Sequence, residues 1–219
     1  MTLTDFSISL GFGVGVFTSI PIIIGLKFWK QFDISIKFFL WYLIVVLFLA
    51  NFSEILRKLY LSNYFLYYFT SSANCLILLS LRFHVHLENR AKKQIDILVL
   101  ICILSILIDL FFITGFKNKI NHFSINLTNL FVLVSSIVTF FNIFSSKNNA
   151  CSKNVLVSYL TLGLIVTFSF KLILTIFKPW LLETELNYPY YFQLENIVSL
   201  FTLLSLLIYS WAFYQMKLN

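Results

Sequence analysis

Four ionisable residues interrupt long apolar runs of this chain and are the first candidates for chemistry: Glu54, Asp109, Lys171 and Glu195. A charge held in hydrocarbon costs roughly 3 kcal/mol or more, so each is expected to face a partner or a wet cavity. An ammonium near carboxylates can form a neutral ion pair. It can also hold a charged ligand or pass a proton. Helical spacing gathers further polar groups around these four. Glu195, Ser199, Thr202, Ser205 and Tyr209 recur at steps of three and four, which makes one helix face. Gly163, Thr167, Lys171 and Thr175 recur at steps of four. Thr128, Ser135, Thr139 and Asn142 form a third stripe, and Cys102, Ser105 and Asp109 a fourth. The candidate site is a polar pocket of Glu54, Asn74, Asp109, Asn129, Lys171, Glu195 and Ser199, with Lys171 paired to Asp109 or Glu195. The hydroxyls on these faces also suit ordinary helix packing, because lipid offers them no partner.

Other motifs carry less. His84-Val85-His86 has a period of two, which does not align side chains on a helix, so no metal site is assigned. Asn51-Phe52-Ser53 and Asn126-Leu127-Thr128 match the glycosylation acceptor but lie in or against apolar runs. Gly11-Phe12-Gly13-Val14-Gly15 lacks the preceding strand and the third glycine of a nucleotide loop. There is no H-E-x-x-H, no G-x-S-x-G and no paired aspartate motif, so no catalytic residue and no cofactor is assigned. A retinal protein would carry its Schiff-base lysine on the last span, which has none in its interior. Cys75 and Cys102 fall within apolar runs and Cys151 on a loop, which leaves no disulfide for the outer side.

The elements that position these residues follow from composition. The chain has 219 residues, 59% hydrophobic and only 11% charged. A soluble domain carries about 25% charged residues and could not hide this much apolar surface from water. This excludes a soluble enzyme, a disordered chain and a disulfide scaffold. A membrane-spanning helix needs about 20 predominantly apolar residues. Seven such runs are read, at approximately 6–26, 36–56, 64–82, 95–115, 124–144, 155–177 and 190–215. The runs do not alternate in polarity, as membrane β-strands would. The fold class is therefore an all-α membrane protein, a seven-helix bundle forming a single integral membrane domain over 1–219.

Orientation follows from the excess of Lys and Arg on the inner side of a membrane. With the N-terminus outside, the inner segments hold Lys27, Lys30, Lys37, Arg82, Arg90, Lys92, Lys93, Lys147, Lys153 and Lys217. The outer segments hold Arg57, Lys58, Lys117, Lys119 and Lys178. The net charge of +7 is mostly this topology signal, and no basic face for nucleic acid is left over. Trp29, Trp41 and Trp211 fall at the inner interface and Trp180 at the outer one. Tyr60, Tyr64, Tyr67, Tyr68, Tyr188, Tyr190 and Tyr191 crowd the outer side, as anchors or as the rim of a cavity. On span one, Gly11, Gly15 and Ser19 make a small-xxx-small face, expected to pack closely within the chain or between copies.

Three segments carry a resemblance: Trp41-Tyr42-Leu43 with Glu54 closing span two, Asn63 to Thr70 opening span three, and Leu194-Glu195-Asn196-Ile197 opening span seven. In these the chain resembles small uncharacterised seven-helix inner-membrane proteins of Bacteroidetes-type bacteria. The resemblance implies a fold and a bacterial inner membrane, not an activity. Those proteins carry an acid after the aromatic–Thr segment where this chain has Asn74, and a small or amide residue where it has Lys171.

Together these features lead us to expect a non-enzymatic, multi-pass sensor or receptor-like module with an outward polar pocket, acting through a partner protein. A non-catalytic subunit scaffolding a larger complex and a small proton-coupled transporter are the alternatives. The orientation predicts that Cys at position 2 reacts with an impermeant maleimide applied outside intact cells, while Cys at position 218 does not. Outside labelling at position 218 overturns the topology.

Overall fold

Long apolar runs with only three prolines leave the backbone no partner in hydrocarbon except itself, so they close into helices. The computed structural model describes residues 3–59, 65–83, 89–113, 122–145, 152–182 and 187–215. Tyr60, Tyr64, His84, His86 and Cys151 lie outside them, and so does the side chain of Tyr67.

Among the described residues every regular element is helical: α1 (Leu3–Lys27), α2 (Ile34–Lys58), α3 (Leu66–Arg82), α4 (Asn89–Ile108), α5 (His122–Ser145), α6 (Ser152–Leu181) and α7 (Tyr188–Gln215). A 3-10 turn, Trp29–Gln31, joins α1 to α2, and a π turn, Asp109–Ile113, extends α4. Six of the helices are long and apolar enough to cross a membrane, the architecture of a polytopic membrane protein. The exception is α3, whose 17 residues rise only about 26 Å. The helices track the expected runs, except that α4 begins at Asn89 and not near 95.

Six helices close a ring in the order α1, α2, α3, α5, α6, α7, with α7 returning to α1. Helix α4 stands outside the ring and packs chiefly on α3 and α5. Successive helices run antiparallel, which gives the bundle two ends. The α1–α2 connection marks one end and the approach of α6 to α7 marks the other. Toward the α1–α2 end the interior is mostly apolar, and the buried Ser35 and Thr161 hydroxyls there are bonded to backbone carbonyls. Phe39 and Phe213 are fully buried there with Leu40 and Leu164. Phe39 meets Tyr209 edge-on at 4.9 Å, and Phe213 lies 5.3 Å from Phe32. The outward faces are apolar as well, as lipid requires: Phe12 is 75% exposed and Phe112 84%.

Polar side chains cap one helix start and tie neighbouring helices together. Asp33 Oδ1 accepts from the Ile36 N–H at 3.2 Å at the head of α2. Ser35 donates to the Ser80 carbonyl at 2.7 Å, tying α2 to the end of α3. Arg82 reaches Asp96 at 2.6 Å between α3 and α4.

The glycine face expected to pack does not do so within the chain. A side chain built at Gly11, Gly13 or Gly15 meets nothing within 4 Å. Ser19 turns its hydroxyl back to the Val16 carbonyl at 2.6 Å. The close approaches occur at glycines outside that motif. At Gly25 a methyl would come 2.7 Å from a Leu40 methyl, and at Gly163 it would run into the Tyr209 ring. A leucine tip can turn aside, but the Tyr209 ring is wedged against Phe39. Gly163→Val should therefore destabilise the detergent-solubilised monomer by about 1–3 kcal/mol through overpacking. Gly11→Val should stay within about 0.5 kcal/mol, as surface changes do. Unfolding midpoints of the two variants check this, and equal losses would contradict it.

Candidate functional site

The polar residues fall into two separate groups, because α4 lies outside the ring. The first group sits where α3, α4 and α5 meet. Asp109 is fully buried at the start of the π turn. Its Oδ2 accepts from the Ser124 backbone N–H at 3.1 Å, in the first turn of α5. The first N–H groups of a helix have no partner within it and attract negative charge, so Asp109 caps α5 from the neighbouring helix. One layer further in, the Asn74 amide donates to Thr128 Oγ1 at 3.2 Å and to Asn129 Oδ1 at 3.0 Å. These bonds join α3 to α5. Interhelical hydrogen bonds of this kind are worth about 0.6–2 kcal/mol in a membrane. Cys75 and Cys102 face each other nearby as free thiols. The bonds of Asn74 and Asp109 are made within this group, which reads as structural, although the Ser71 hydroxyl and Asn126 Oδ1 on the same helices are buried without a hydrogen bond.

The second group lines a cleft of about 270 Å³ between α1, α2, α6 and α7. The stripes on α6 and α7 supply its polar wall: Thr167 and Lys171 from one, Glu195, Ser199, Thr202 and Tyr209 from the other. Helix α2 adds Tyr42, and α1 adds Thr18. The stacked rings of Phe170 and Phe201, 3.7 Å apart, hold α6 and α7 together beside it. Tyr42 and Tyr209 are buried at the level where the apolar interior begins.

Lys171 is half-buried in this cleft, and its Nζ stands 5.2 Å from the centre of the Phe168 ring. No carboxylate lies within 4.0 Å of it among the described residues. Glu195 accepts instead from the Tyr191 hydroxyl at 3.4 Å, one turn earlier on its own helix, with Lys178 in electrostatic reach. The Thr167 hydroxyl is 5% exposed and makes no hydrogen bond; the Tyr209 phenol approaches it without bonding geometry. Thr202 satisfies itself on the Val198 carbonyl at 2.8 Å.

The expected seven-residue pocket is thus divided. Lys171, Glu195 and Ser199 share the cleft. Asn74, Asp109 and Asn129 belong to the α3–α4–α5 group. Glu54 lies 12 residues beyond Tyr42 on α2, about 18 Å along the axis, and does not line the cleft. The expected Lys171–Asp109 pair does not form, since equal depth does not make α4 and α6 neighbours. Lys171 and Glu195 do share a cleft, but not as a bonded pair. Tyr42 and Thr18 were not among the expected site residues. The signal for Thr18 is its step of four from Val14, which places both on one face of α1.

Comparison with family models, with curated proteins and with solved structures yields no match to this chain.

The cap assigns Asp109 a structural effect with a chemical signature. Asp109→Ala leaves a buried N–H without its acceptor and should cost about 1–3 kcal/mol. Asp109→Asn keeps an oxygen acceptor and should lose less than half as much. Unfolding in detergent measures both, and equal losses would show that charge rather than acceptance matters.

Proposed function

We propose that the protein is a seven-helix, non-catalytic membrane module whose α6–α7 cleft binds a small solute bearing an acidic group, and that it acts as a receptor-like sensor through a partner protein. The Lys/Arg bias sets the N-terminus outside and the C-terminus inside, so the cleft occupies the outer half of the membrane. One observation carries the reading: the Lys171 ammonium faces a cleft inside the bundle without a carboxylate bonded to it. A cation held so is costly, and a ligand carboxylate would relieve that cost. The unbonded Thr167 hydroxyl beside it offers a further donor to such a ligand. The buried Phe39 and Phe213 toward the α1–α2 end, where the Ser35 and Thr161 hydroxyls are held by backbone carbonyls, favour a receptor over a carrier, which would need an open polar path there.

Lys171→Met should then leave stability within about 1 kcal/mol, because no buried carboxylate is stranded by the change. It should abolish ligand binding. Thermal unfolding in nanodiscs against a panel of mono- and dicarboxylates and amino acids tests both. A binding acid at a hundredfold excess over its Kd should stabilise the native chain by about 2.7 kcal/mol and the variant not at all. A panel in which no acid distinguishes the two proteins contradicts the reading.

A second reading rests on the open glycine face of α1. In a membrane such a face lets another helix approach closely, which suits a subunit of a larger complex. Gly11→Val with Gly15→Val should then release copurifying subunits while leaving the monomer folded. Their retention would remove this reading.

A further inference from the structure

We propose that the α1–α2 connection is a binding site for one anionic phospholipid, with the phosphate on Lys27 and Lys30 and an acyl chain along Leu26, Trp41 and Ile44. A cavity of about 630 Å³ opens here, lined by these residues together with Trp29. Its two walls differ in chemistry. The rim carries Lys27 and Lys30, both exposed, and neither ammonium has a hydrogen bond or ion pair among the described residues. Lys37 adds a third positive charge from α2, its Nζ 5.5 Å from the centre of the Trp29 ring. The acid at this connection is Asp33, and one of its oxygens is taken by the Ile36 N–H at the head of α2. Three cations against one engaged carboxylate leave a net positive rim. The end of α1 and the start of α2 meet at this connection, so their opposed dipoles largely cancel and the lysines set the field.

The second wall is hydrocarbon. Leu26 is 51% exposed and Trp41 50% exposed. Trp29 and Trp41 meet edge to face at 6.2 Å, which fixes the floor between rim and wall. Trp41 lies seven residues into α2 from Ile34, about 10 Å below the start of the helix. The cavity therefore runs from headgroup level into the depth of an acyl chain, and paired tryptophans occupy the boundary that they favour. A free phosphate would use only the rim. A neutral lipid would use only the wall. Basic pockets between membrane helices recognise lipids that satisfy both. The short 3-10 turn Trp29–Gln31 keeps the connection tight, and Lys27 and Lys30 line one cavity across it.

Native mass spectrometry of the full chain in detergent, with equimolar phosphatidylglycerol and phosphatidylcholine added, tests the proposal. Phosphatidylglycerol should be retained roughly thirtyfold over phosphatidylcholine, as expected for two engaged lysines. Lys27→Gln with Lys30→Gln should remove that preference. Lys92→Gln with Lys93→Gln, on α4 at the same end of the bundle, should leave it intact. Equal melting midpoints for both double variants separate lost binding from lost fold. An excess of sn-glycerol 3-phosphate should not displace the lipid. Equal retention of the two lipids, an equal loss in the α4 variant, or displacement by glycerol phosphate would each overturn the proposal, the last in favour of a soluble phosphate.

Discussion

In hydrocarbon a polar group finds no water, so each one must be satisfied inside the protein or gathered where water or a ligand can reach it. The whole bundle follows from how this chain meets that requirement. Backbone groups are closed within helices. Most hydroxyls fold back on the carbonyl three or four residues earlier: Thr18 on Val14, Thr139 on Ser135, Thr161 on Val157 and Ser205 on Phe201. Amide side chains that cannot reach their own backbone meet each other across α3 and α5. Asp109 meets the first turn of the next helix. After this assignment a few buried polar atoms stay unbonded among the described residues: those of Ser71, Asn126, Ser135 and Ser136 on α3 and α5, and the Thr167 hydroxyl, which stands with Lys171 in the cleft between α6 and α7.

The distribution along the bundle axis gives that cleft its character. Large aromatics fill the interior toward the α1–α2 end, where Phe39 and Phe213 are fully buried. Beyond Tyr42 and Tyr209 the walls become polar on the α6–α7 side, and the α1–α2 side adds Val14, Leu43 and Val46 with the single hydroxyl of Thr18. A ligand there would have its acidic end on Lys171 and its apolar part against Leu43, Val46 and Leu174. Gly163 contributes at one remove, since it admits the Tyr209 ring that forms part of the floor.

Much of this was legible in the residues. Apolar runs marked the helices closely, because span length answers to membrane thickness. The stripes on α6 and α7 marked interior faces, because a face of hydroxyls has no place against lipid, and residues of both line one cleft. Neighbour relations were not legible. Asp109 and Lys171 lie at similar depths, yet depth is read from span ends, whereas adjacency depends on how the helices are arranged around the ring. Placing α4 outside the ring separates the two. Nor does spacing announce the π turn that lets Asp109 reach Ser124, since that contact depends on two helices meeting. The glycine spacing of α1 marks where a helix can approach, not whether one does, and the observed contacts fall at Gly25 and Gly163.

The central claim is a wet, polar cleft between α6 and α7 inside an apolar bundle. Single cysteines along α7, in a chain whose own three cysteines are replaced by serine, test it most directly in lipid nanodiscs. Ser199→Cys and Thr202→Cys line the cleft, whereas Leu200→Cys and Leu204→Cys face outward and are exposed to lipid. A small charged thiosulfonate reagent should modify the first two and spare the second two. Modification of all four to the same degree, or of Leu200→Cys and Leu204→Cys alone, would contradict the account.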